Sequence, residues 1–168
     1  NCCDKLPNKG TPDLKPGKYL YFDIAQEGLP YRFKEGESRY IILKLPNDGH
    51  KNYPLRLRSF IRKHAKKSID HGVFFPQLIT LDKDRRPLRI FAGPLLKYHQ
   101  ETWTTHGFLE GVFEINRSED KDERYVLINT TKEALKQSST VENDEGEINI
   151  KHMGIGSFEV EVLLGYGA

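Results

Sequence analysis

The stretch between Gly93 and Gly107 carries Tyr98, His99, Trp103 and His106. Rings of this kind stack on the flat face of a sugar while polar neighbours bond its hydroxyls, so the chemistry on offer is recognition of a glucan. Connections longer than about 12 residues are more often functional than short ones. A competing reading makes Trp103, the only tryptophan, a plug for one end of a core. A second concentration is basic: Arg56, Arg58, Arg62, Lys63, His64, Lys66 and Lys67. Such density suits an anionic surface or a partner protein of the cell envelope. Arg56 and Arg58 are, however, the outward positions of an alternating segment, which equally describes a solvated face followed by a hairpin loop. Stacking aromatics are not interleaved in the regular manner of single-stranded nucleic-acid binders, and no nucleic-acid partner is expected.

Other sets fail as reactive sites. Asp82 and Asp84 alternate as in a calcium loop, but Arg86 stands at the next ligand position and the required glycine is missing. His71, Asp70 and either Ser59 or Ser68 lack a nucleophile-elbow pattern. Glu110 and Glu114 lie four residues apart on one strand face, roughly 13 Å, wider than the about 5 to 9.5 Å of a glycosidase pair. The six histidines show no metal-ligand spacing. No catalytic residue, metal or cofactor is expected, and the chain reads as a binding protein rather than an enzyme.

These candidates must be held by strands. Lys18 to Ala25, Arg39 to Leu45, Tyr53 to Ile61, Val73 to Leu81, Leu88 to Phe91, Phe108 to Ile115, Arg124 to Asn129, Glu147 to Lys151 and Phe158 to Leu164 are rich in aromatic and β-branched residues or alternate in polarity. Phe108 to Ile115 and Arg124 to Asn129, joined by a charged loop, suggest a hairpin. Asn47-Asp48-Gly49 and Asp82 to Arg86 are turn signals. Thr130-Thr131-Lys132-Glu133 has a capping-box pattern, placing one short helix near 131–138. Ser138 to Gly146 is polar and acidic and reads as a loop. The expected fold is all-β, an antiparallel sandwich of jelly-roll type.

The 168 residues suit one domain. Its 26 basic and 24 acidic residues nearly balance, and no apolar run has the length of about 20 needed by a membrane-spanning helix. Cys2 and Cys3 are adjacent and cannot join distant parts of a fold. Residues 1–17 read as a tether with a lipid anchor at Cys2 or Cys3, ahead of a single sandwich domain over 18–168; exposed thiols are the plainer alternative.

With Tyr53 to Ile61 (YPLRLRSFI), Val73 to Pro87, Phe108 to Val112 and Tyr125 to Thr131 in this order, the chain resembles the maltose operon periplasmic protein family, MalM. The likeness runs from about Lys18 to Leu164. It implies a periplasmic accessory or binding protein of a Gram-negative bacterium, associated with maltodextrin uptake, with maltodextrin or an uptake component as partner. It carries no set of ligand residues over to this chain. Family members commonly continue into an Ala/Pro-rich linker and a helical region, so the resemblance covers their N-terminal β domain.

Overall fold

Tyr53, Leu55, Leu57 and Ser59 are buried, whereas Arg56, Arg58 and Phe60 between them reach the surface. That period of two fixes strand β4 (Asn52–Phe60) with one face on the core and one towards solvent. The computed structural model describes residues 2–6, 11–47, 49, 51–63, 71–91, 96–118 and 121–163. In it β4 lies centrally in a sheet ordered β1 (Leu20–Asp23), β15 (Ser157–Val162), β4, β10 (Phe108–Ser118); β9 (Lys97–His99) and β11 (Lys121–Asp122) pair with the two ends of β10. A second sheet is ordered β2 (Leu29–Phe33), β3 (Gly36–Lys44), β12 (Tyr125–Asn129), β7 (Gln77–Leu81), β8 (Pro87–Phe91).

These two sheets face each other. Phe22, Leu55, Leu57, Phe113, Ile115, Phe158, Val160 and Val162 of the first meet Ile41, Leu43, Leu78, Val126 and Ile128 of the second in one buried cluster. The chain is thus an all-β sandwich, as the alternation implies. The second sheet is apolar on its other face too, where Tyr40, Ile42, Ile79, Leu81 and Leu127 are covered by Cys3 and Leu6.

A third sheet, β13 (Ser138–Asn143), β14 (Gly146–Met153), β6 (His71–Phe74) and β5 (Arg62–Lys63), caps one end. Ile61, Val73, Leu109 and Ile150 form its own buried cluster. The buried Ser59 hydroxyl donates to the Phe74 carbonyl oxygen and ties β4 to β6. The β14–β6 pair is parallel, whereas the other strand pairs among the described residues are antiparallel.

The structure corrects several local expectations. Val73 to Leu81 is two strands in different sheets, because Pro76 has no N–H for a ladder and the chain leaves the sheet there. Residues 108–115 and 124–129 do not form a hairpin: β10 pairs with β4, β9 and β11, and β12 with β3 and β7. The segment from Ser138 is strand β13 and not a loop, held by β14 alone. The expected helix is α2 (Lys132–Leu135), with the Thr131 side chain accepting from the Ala134 amide. A second short helix, α1 (Ile24–Glu27), replaces the end of the first expected strand, started by Asp23 accepting from the Ala25 amide.

The segment read as a tether is in contact with the sandwich. Leu14 lies in the main core, its amide donates to the Lys44 carbonyl, and Gly17 donates to Val162. Arg85, in the left-handed region at φ 61°, holds the earlier part. Its guanidinium lies 5.0 Å from the Tyr125 ring centre and donates to Thr11 Oγ1 at 3.2 Å.

Candidate functional site

The end of β4 turns outward through Ile61 into β5, and β5 pairs with β6. The chain returning from β9 runs past the same place, since the Ile61 amide donates to the Gly107 carbonyl at 2.9 Å. Between these segments and the third sheet opens a cleft of about 600 Å³, within the range of small-molecule sites. Tyr21, Phe60 and Tyr98 supply rings to it; Arg62, Lys63, His71, Glu101, His106 and Asn143 supply polar groups. Tyr21 is exposed and its ring centre is 6.0 Å from that of Phe60.

Lys63 and Glu101 join across the opening as an ion pair, linking β5 to the segment after β9. The ammonium beside it holds the Glu101 carboxyl below its ordinary range. Arg62 pairs with Asp23 at 3.6 Å. Charges are therefore largely balanced, and the cleft offers donors and acceptors without a strong net field. Burial pushes the Tyr98 hydroxyl pKa up, against a hydrogen bond with the Asn143 side chain. The phenol stays neutral and able to donate. His71 is only 8% exposed, and its Nδ1 has no hydrogen-bond partner among the described residues. A buried imidazole nitrogen left in that state is costly, by about 1–3 kcal/mol, unless something polar reaches it.

The two candidate sets from the sequence thus partly converge. Tyr98 and His106 from one, and Arg62 and Lys63 from the other, line the same cleft. His99 does not: it stacks on Phe108 at 4.8 Å on the outer face of the first sheet, with Nε2 3.8 Å from Glu110. Trp103 is fully exposed beside a shallower groove, so it plugs no core. Arg56 and Arg58 form a cross-strand ladder, Arg56 with Glu161, and Arg58 with Glu110 at 2.6 Å and Glu159 at 3.6 Å. Their charge is thereby compensated, which weakens the basic patch as an anion-attracting surface. Lys66, Lys67, His64, Ser68 and Asp70 lie outside the described residues.

Asp82 is a turn residue, its Oδ1 accepting from the amides of Asp84 and Arg86, each at 2.8 Å. Among the described residues, no group of three or more His, Cys, Asp or Glu could hold a metal ion. The sulfurs of Cys2 and Cys3 are bonded to each other, and Cys3 is buried. A lipid thioether and this disulfide exclude one another at a given sulfur.

Tyr21, Phe60, Glu101 and Asn143 escaped the sequence reading. Phe60 had a signal, because it shares the outward parity of Arg56 and Arg58, where a large ring has no core to fill. Tyr21, Glu101 and Asn143 are brought in by tertiary contacts alone.

Comparison with curated proteins finds none that matches. The family model described as maltose operon periplasmic protein precursor (MalM) matches residues 35–160, from the start of the β2–β3 turn into β15. That span includes the whole of the sheet that caps the cleft and both strands, β4 and β10, that underlie it. This chain is a member of the maltose operon periplasmic protein family.

Proposed function

We propose that the protein is a non-enzymatic carbohydrate-binding component of a maltodextrin system, and that the cleft beside β5 is its sugar site. The observation that carries this reading is the meeting of three rings, Tyr21, Phe60 and Tyr98, with polar side chains that include His71 in one cleft. A sugar presents apolar C–H faces and hydroxyl edges at once, and each hydroxyl can both donate and accept. Lys63, Glu101 and Asn143 add donors and acceptors at the rim. Near-balance of charge suits a neutral glucan better than a phosphate or a uronate.

Titration calorimetry with maltohexaose tests this. Binding should raise the melting temperature, with about 2.7 kcal/mol of added stability at a hundredfold excess over Kd. Tyr21→Ala removes an exposed ring without disturbing the core and should weaken binding about tenfold. Absence of heat and of any stabilisation refutes the proposal.

A second reading, docking of an envelope protein, is favoured by one feature. β8 ends the second sheet, and its Leu88 and Ile90 side chains are exposed. An exposed apolar edge strand can receive an added strand from a partner. The protein would then act as an interaction module without sugar.

A further inference from the structure

The cleft is continued by a second depression. A groove of about 350 Å³ runs between Trp103 and the β13–β14 turn, and Glu101 and Asn143 line both it and the cleft. Trp103 is fully exposed, an unusual state for the largest apolar side chain. It is nonetheless carried on an ordered turn. The Thr102 amide donates to the Thr105 carbonyl at 2.9 Å, the Thr102 and Thr105 hydroxyls are 2.7 Å apart, and Gln100 Nε2 donates to Asp144 Oδ2 at 2.8 Å. The last bond fixes the Trp103 turn to the tip of the third sheet.

From this continuity we infer that the ligand is a linear oligosaccharide, seated with one part in the cleft and the next part across Glu101 and Asn143 onto Trp103. The inference rests on the sugar reading of the cleft and adds its chain length. A short sugar held by Tyr21, Phe60 and His71 leaves the Trp103 groove empty. A longer chain meets rings at both ends of the track and polar side chains between them. Glu101 and Asn143 each have groups to offer the bridging unit: an ionised carboxylate that accepts, and a carboxamide that both donates and accepts. Exposure of Trp103 in the free protein is then the open state of a stacking platform.

The test compares maltose with maltohexaose on the intact protein, reading affinity and the emission of Trp103, the only tryptophan. Maltohexaose should bind at least about tenfold more tightly and shift the emission to the blue; maltose should bind without a shift. Trp103→Ala should remove about tenfold of the maltohexaose affinity and leave maltose binding unchanged. Trp103→Phe, which keeps a ring, should restore most of it. Equal affinities for the two sugars, or a Trp103→Ala variant that binds maltohexaose like the parent, overturn the extended track while leaving the sugar cleft standing. Failure of both sugars to bind overturns the cleft reading and the track with it.

Discussion

Replacing Arg89 with Met should be among the most damaging single changes outside the apolar core. Glu123 is fully buried, and its carboxylate accepts from Arg89 Nε at 3.0 Å, from Arg89 Nη2 at 2.6 Å and from the Asn116 amide at 2.8 Å. Arg89 belongs to β8 in the second sheet and Asn116 to β10 in the first, so the carboxylate bolts the two layers together at an open edge. Arg89 also lies over Phe91, 4.6 Å from the ring centre. Met retains most of the aliphatic stem, so the change isolates the charge and its bonds. Two of the three hydrogen bonds to a buried carboxylate vanish, and breaking such a pair costs about 3–5 kcal/mol. At about 2–4 °C per kcal/mol for a domain of this size, the melting temperature should drop by about 6–20 °C. Glu123→Gln should cost less, about 1–2 kcal/mol, because the partly exposed guanidinium left behind can take up water. Urea denaturation of the parent, both single variants and the double variant gives the coupling directly. A cost below about 1 kcal/mol for Arg89→Met, or costs that simply add in the double variant, would show that the clamp contributes nothing specific.

Two further outcomes are expected. His152 is buried, stacked on Phe75 at 3.7 Å, hydrogen-bonded to Ser139 and to the Ala134 carbonyl, and its pKa is depressed below the ordinary 6.5, chiefly by burial. Above pH 6.5 both folded and unfolded chains hold it neutral. As pH falls from there through the lower folded value, the unfolded chain takes the proton first and stability is lost. His152→Gln should flatten that part of the stability profile between pH 7.5 and 5; an unchanged slope would assign the loss to other groups. Gly156 has φ 151°, and a Cβ there would come within 2.9 Å of the Phe74 Cβ and 3.1 Å of its amide nitrogen. Gly156→Ala should therefore cost at least about 1–3 kcal/mol in chemical denaturation, and a neutral result would mean the β14–β15 connection relaxes freely.

Strands with one wet face and one dry face were legible in the sequence. Leu55 and Leu57 alternate with Arg56 and Arg58, and Phe158, Val160 and Val162 with Glu159 and Glu161, and both segments are strands of the sandwich. Strand β13 was not legible, because Ser138 to Asn143 is exposed or half-buried throughout and no apolar period marks it. The division at Pro76 was hidden for the opposite reason, with β6 and β7 buried at every position and so offering no alternation to interrupt. The Arg56–Glu161 pair joins residues a hundred positions apart, and only strand order reveals that the basic residues are answered by acids. For the same reason Tyr98 and Lys63 were recognised as candidates separately, and their meeting in one cleft was not.

The parallel pairing of β14 with β6 has a kinetic side. It is the strand pairing through which residues 138–153 support a wall of the cleft, and its partners, His71 with Ile150 and Phe74 with Met153, are about eighty residues apart in the chain. Contacts this distant carry a loop-closure cost before they gain anything, so they tend to form slowly. The buried cluster between the two facing sheets takes only Phe74 from the strands of this third one. Ordering of the third sheet during refolding should accordingly lag behind recovery of sandwich structure, making the cleft a report on the last part of the chain to assemble.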